Sequence, residues 1–111
     1  MTSPETISVE ELEQRQGQPG VLVVDLRSFK EYQELHIPGA VHVSYENIGR
    51  LSRYRDRMII LYCEHGITST AAAVTLAERG YKVSSLEGGI QAYRAKRGDA
   101  VLDGKDRMRV Q

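Results

Sequence analysis

The chain has 111 residues, 41% hydrophobic and 27% charged, with 15 basic and 15 acidic side chains and a formal net charge of zero. That length holds one ordinary domain, and the composition is that of a soluble globular protein, not a disordered one. The balanced charge, with no basic run standing out, argues against a nucleic-acid partner, and no apolar run approaches the roughly 18 residues of a membrane span. A single cysteine rules out an intrachain disulfide. The start, "MTSPETISVEE", lacks the basic patch and apolar core of a signal peptide, so a cytoplasmic location is expected.

In chain order, Ser8-Val9-Glu10-Glu11 fits a capping box and opens a short helix to about Arg15. "GQPG" at 17–20 is a turn. "VLVVDL" at 21–26 is a nearly continuous apolar, β-branched run, as expected of a strand buried on both faces. Ser28-Phe29-Lys30-Glu31 repeats the capping box and starts a second helix, which "HIPGA" at 36–40 stops, because Pro38 disfavours helix at Ile37. "AVHV" at 40–43 reads as a short strand and residues 45–54 as a helix. "MIILYC" at 58–63 is the second buried strand, with Cys63 at its C-terminal end. Thr68 or Ser69 is expected to cap an Ala-rich helix over about 70–79, closed by Gly80. "KVSSL" at 82–86 is a strand, Glu87-Gly88-Gly89 a turn, and 90–97 a last helix. From Gly98 the polar tail is expected to be loosely ordered, which divides the chain into a domain over 1–97 and a tail over 98–111.

Strands alternate with short helices, so the residues themselves point to an α/β domain with a mainly parallel sheet and helices on both faces. Ligands of such sheets sit at the C-terminal strand ends, where Cys63 falls. A free thiol, with a pKa near ~8.5, is mostly protonated at neutral pH. A helix N-terminus beside it would favour the thiolate, and a loop curled round the sulfur would aim its amides at one point. The same pattern also describes a small apolar residue ending a core strand. On local pattern alone both readings stand.

Three blocks resemble the rhodanese (thiosulfate sulfurtransferase) family. "VLVVDLRSFKEYQELHIPGAVHV" is similar to its strand with Asp-x-Arg, then Glu-Tyr, then His-Ile-Pro-Gly-Ala. "IILYCEHGITSTAAAVTLAERGY" resembles its active-site block, a strand, Cys-x-x-Gly-x-Arg-Ser and an Ala-rich helix. "VSSLEGGIQAYRA" resembles its Leu-x-Gly-Gly ending, with Tyr93 where the family has Trp. The blocks follow the family's order over roughly residues 7–97. The resemblance implies a rhodanese-like fold: a parallel five-stranded sheet flanked by helices, with the active-site loop at its edge. It implies a sulfurtransferase in which Cys63 takes a sulfane sulfur from thiosulfate or a persulfide or polysulfide donor. Cys63 then passes that sulfur to cyanide or a thiol, in two half-reactions. Glu64, His65, Gly66, Ile67, Thr68 and Ser69 match the loop whose amides surround the persulfide.

That loop departs from the family in one place: Thr68 stands where Arg is usual, so a bidentate, charged contact to an oxyanion is missing. Glu64 adds a carboxylate, with His65 the titratable neighbour expected to offset it. Phosphatases that share the fold place Arg six residues after the cysteine. Here that position is Ser69, and no Arg occurs before Arg79, so phosphoryl transfer lacks its clamp. The alternative reading is a non-catalytic or redox-sensing rhodanese-like binding module, since an exposed reactive thiol can oxidise. Asp25 and Arg27 are supporting residues, expected as an ion pair that fixes the loops. His36 is expected to bond within its turn and His42 to sit on a strand face. Gly88-Gly89 is expected to permit close packing. Three scattered His and one Cys lack metal-ligand spacing, so neither metal nor other cofactor is expected. The expected partners are a small sulfur-containing anion or persulfide donor, a thiol acceptor and, in a relay, a second protein.

Overall fold

The two apolar runs lie side by side. In the computed structural model, which describes residues 4–105, Val21–Asp25 and Met58–Tyr62 pair in parallel register from Val21 with Met58 to Asp25 with Tyr62. In chain order the elements are β1 (Glu5–Ile7), α1 (Val9–Arg15), β2 (Val21–Asp25), α2 (Phe29–Glu34) and β3 (Val41–His42), then a 3-10 stretch (Tyr45–Tyr54). They continue with β4 (Met58–Tyr62), α3 (Ile67–Glu78), β5 (Lys82–Leu86), α4 (Gly89–Arg97) and a 3-10 turn (Asp99–Val101). The sheet order is β1-β5-β4-β2-β3, with every pairing parallel. β4 is therefore the middle strand, with each of its sides paired, and its apolar composition follows from burial on both faces.

Alternation along the strands feeds two cores. On one face Leu22, Val24, Leu26, Ile59 and Leu61 pack against Ala72, Ala73 and Leu76 of α3 and Leu51 of the 3-10 stretch. On the other, Val23, Ile60 and Tyr62 pack against Val9 and Leu12 of α1 and Ile90 and Tyr93 of α4. Both expected capping boxes form. The Ser8 hydroxyl accepts from the Glu11 amide at 3.1 Å, the Ser28 hydroxyl from the Glu31 amide at 3.2 Å, and each Glu carboxylate accepts from its serine's amide.

Two expectations change, and one strand is present that the sequence reading did not assign. β1 is a strand, too short at three residues to show alternation; it exists because β5 offers it a parallel partner. Residues 45–54 form 3-10 rather than α-helix, interrupted at Asn47, whose φ of −111° is not helical. The tail is not loose at its start. Leu102 is fully buried in the core, and His36 and Asp103 exchange backbone bonds of 2.8 and 3.0 Å. Burying a leucine is worth about 1.5–3 kcal/mol, enough to anchor this segment. The remainder of the expected tail, 106–111, lies outside the described residues.

Candidate active site

Cys63 stands one residue past β4, 5% exposed, and the chain folds back over its sulfur. Gly66, at φ +102°, makes the reversal that a side-chain-bearing residue would resist. The Gly66 amide donates to Cys63 Sγ at 3.2 Å and the Ser69 amide at 3.3 Å, while the thiol faces Ser69 Oγ at 3.5 Å. A helix leaves its first amides without an intrahelical partner. Here Gly66 is the N-cap and no side chain caps α3, so the sulfur takes the amide three residues on that a cap oxygen would otherwise take. Intrahelical bonding begins at Thr70, whose amide and hydroxyl reach the Gly66 carbonyl at 3.1 and 2.7 Å. The expectation that Thr68 or Ser69 caps the helix is thus corrected. α3 starts earlier, at Ile67, because Gly66 turns the chain and Cys63 supplies the acceptor.

A second helix start holds the loop from behind. The Ile90 amide donates to the Cys63 carbonyl at 2.9 Å and the Gln91 amide to the Glu64 carbonyl at 3.2 Å. That approach requires glycine: a Cβ on Gly89 would sit 2.4 Å from the Cys63 carbonyl oxygen and 2.6 Å from that of Glu64. Gly88 is equally tight, since a Cβ there would meet Ala92 Cβ at 2.7 Å. Gly88-Gly89 therefore serves the close packing expected of it.

Asp25 and Arg27 form the expected ion pair and also reach the loop. Asp25 is fully buried and accepts from the Arg27 amide at 2.8 Å and from Nη2 at 2.9 Å. The Arg27 guanidinium, 8% exposed, also bonds the Leu35 carbonyl at 2.5 Å and the Glu64 carboxylate at 3.3 Å. Burial works against the charge on Arg27, but Asp25 outweighs it and holds the guanidinium above its ordinary pKa. Burial likewise favours neutral Glu64, but bonds from the Gln91 amide group and Arg27 prevail and lower its pKa. Glu64 is therefore offset mainly by Gln91 and Arg27, with exposed His65 the smaller influence. Tyr62, fully buried behind this pair, accepts from the Ile37 amide at 3.0 Å, and burial pushes its hydroxyl well above the usual tyrosine range.

The structure thus gathers Gly66 and Ser69 around the Cys63 sulfur, with Glu64 turned to the Asp25–Arg27 strut behind. His65, Ile67 and Thr68 form the outer rim, Ile67 81% exposed, and their side chains make no hydrogen bond among the described residues. Gln91 and Gly89 were not singled out for this site. Gln91 lies 27 residues from the carboxylate it holds, and nothing local marks it. His36 Nδ1 lies 2.7 Å from the Tyr32 carbonyl and His42 Nε2 2.6 Å from that of Arg27, so both histidines serve local structure.

A family model described as "Rhodanese-like domain" matches residues 8–96. A thiosulfate sulfurtransferase GlpE of Shewanella oneidensis is 35% identical over 96 residues, 84% of this chain and 95% of that protein. A tRNA sulfurtransferase of Desulfurococcus amylolyticus is 39% identical over 74 residues, 67% of this chain, but the chain spans only 15% of that protein. Among solved structures, the rhodanese-like domain of the Anabaena protein Alr3790 superposes with a TM-score of 0.80 at 27% identity, covering 99% of this chain and 85% of that one.

Proposed function

The chain belongs to the rhodanese-like domain family, and on that premise we propose that it is a sulfurtransferase carrying sulfane sulfur as a persulfide on Cys63. The observation that carries this reading is the pair of backbone amides, from Gly66 and Ser69, aimed at Sγ at 3.2 and 3.3 Å. Preorganised donors aimed at a sulfur are suited to the negative charge of a persulfide built on it. Ile67 and Thr68 belong to the same first turn and are exposed residues, and the leading amides of a helix suit an oxyanion arriving with the sulfur.

In the first half-reaction the Cys63 thiolate attacks the sulfane sulfur of the donor. With thiosulfate the S–S bond breaks and sulfite leaves with its electron pair. In the second, an acceptor nucleophile, cyanide or a thiolate, attacks the outer sulfur and Cys63 leaves as thiolate. Thr68 supplies a hydroxyl but no charge, so thiosulfate is bound less firmly than a guanidinium would bind it. A persulfide donor, without a sulfonate to clamp, loses less. Partners are therefore small sulfur donors and thiol acceptors, with a second protein where the chain works in a relay.

Intact mass after incubation with thiosulfate or polysulfide tests this. A reductant-sensitive gain of one sulfur is expected on the protein and none on Cys63→Ser. The absence of any adduct for every donor tried, or its persistence in Cys63→Ser, would overturn the assignment.

A further inference from the structure

The sulfur and the carboxylate that follows it in the chain are held by different helices. Cys63 Sγ takes its bonds from the amides of Gly66 and Ser69, at the start of α3. The Glu64 carboxylate takes its bonds from the Gln91 side chain of α4 and from Arg27 Nη1. α3 covers one face of the sheet and α4 the other. Adjacent Cα atoms are only about 3.8 Å apart, so a glutamate at position 64 has the length to bring its charge beside the sulfur. The bonds to Gln91 and Arg27 keep it elsewhere.

Of these two holds, Gln91 is the more specific. Its amide donates to the Glu64 carbonyl at 3.2 Å and its side chain donates to the Glu64 carboxylate. The first bond fixes the loop backbone, and the second fixes where the charge points. Arg27 is already committed: Nε and Nη2 bond Asp25, Nη2 also bonds the Leu35 carbonyl, and Nη1 reaches Glu64 at 3.3 Å. On that side Glu64 lines a cleft of about 210 Å³ with Arg27, Arg94, Glu31 and Glu34. Arg27 is matched by Asp25 and Arg94 by Asp99, so Glu31 and Glu34 make the cleft unfavourable for a third carboxylate. A third of the Glu64 side chain is exposed, where an ion pair by itself holds weakly. The other charged groups about the loop are His65 within it and Glu87 in the turn before α4. α3 presents none from Ile67 to Ala77. With Thr68 in place of an arginine, no cation of that helix would neutralise Glu64 if it turned towards the sulfur.

We propose that Gln91 is a positioning residue: it holds the Glu64 carboxylate on the α4 side of the loop and so keeps negative charge from the path of an anionic sulfur donor to Cys63. The consequence for donors rests on the sulfurtransferase reading. The position of the charge does not, and it is measured without any sulfur transfer.

Iodoacetate and iodoacetamide alkylate the same thiolate and differ by one negative charge. The ratio of their rates reads the potential at Cys63 and cancels any change in how much of the thiol is ionised or accessible. Gln91→Leu keeps the backbone bond to Glu64 and removes the side-chain bond. A carboxylate brought to about 6 Å from the sulfur at an aqueous surface slows a singly charged anion about threefold, so the iodoacetate to iodoacetamide ratio should fall by about that factor. Thiosulfate carries two charges, so persulfide formation from it, relative to the iodoacetamide rate, should fall about tenfold. In Glu64→Gln the further change Gln91→Leu should leave both quantities within about twofold, because no charge remains to be released. A merely structural role for Gln91 predicts the opposite: both reagents slow together, and the loss persists in the Glu64→Gln background. An unchanged ratio in Gln91→Leu, or a fall that neutral Glu64→Gln does not abolish, would overturn the proposal. A ratio that falls while the thiosulfate rate holds would overturn its consequence for donors. Failure of every donor to form a persulfide in the mass assay would instead remove the sulfurtransferase reading and leave the alkylation result standing.

Discussion

Gly89→Ala probes how the loop is held from behind. Two costs combine at this position. Gly89 adopts φ +60°, and an L side chain in the left-handed region costs about 1–2 kcal/mol. The new Cβ would also lie 2.4 and 2.6 Å from two backbone carbonyl oxygens, which cannot rotate away as a side chain can. Overpacking of this kind adds about 1–3 kcal/mol. Gly20→Ala is the matched control: its φ is +83°, but nothing lies within 4 Å of its Cβ, so it incurs the backbone cost alone. Urea unfolding should show Gly20→Ala about 1–2 kcal/mol less stable than the parent and Gly89→Ala about 2–5 kcal/mol less stable. A difference of about 2 kcal/mol corresponds to roughly 8–16 °C in Tm for a domain of this size. The carbonyls that would move belong to Cys63 and Glu64, so folded Gly89→Ala should also gain the persulfide more slowly, whereas Gly20→Ala should gain it at the parent rate. Equal losses in the two variants would refute the reasoning, because they would show that α4 does not press on the loop.

Arg27→Met strips the guanidinium from fully buried Asp25, and breaking such a pair costs about 3–5 kcal/mol. A loss under about 1 kcal/mol in urea would show that the strut is dispensable. Glu64 titrates lower folded than unfolded, so its contribution is complete above the unfolded pKa of roughly 4.3 and is lost as pH falls through the folded value. Glu64→Gln should therefore be less stable than the parent at pH 7, with the gap closing below about pH 4. A gap independent of pH would contradict the ion pair with Arg27. Thr68→Arg should raise kcat/KM for thiosulfate about tenfold by adding a charge-assisted contact. A flat or lower value would show that Thr68 does not limit that substrate.

Features determined within a few residues were legible in the chain alone. Both capping boxes, the stop at "HIPGA" and the two buried strands depend on neighbours three or four positions away or on composition within one run, and the structure has them where expected. The place of Cys63 at a strand end before a helix is equally local. Tertiary structure decided what depends on residues far apart in sequence. β1 is a strand only beside β5, and Leu102 is held only because the core extends to it. The arginine that balances Glu64 comes from 37 residues earlier and the glutamine from 27 later. The start of α3 was misjudged for the same reason. Thr68 and Ser69 are good caps by propensity, but the acceptor that replaces them is the sulfur of Cys63. It comes within 3.3 Å of the Ser69 amide only because Gly66 bends back and α4 grips the carbonyls of Cys63 and Glu64. The identity of the cysteine was a matter of sequence. The amides around it are a matter of where two helices begin in space.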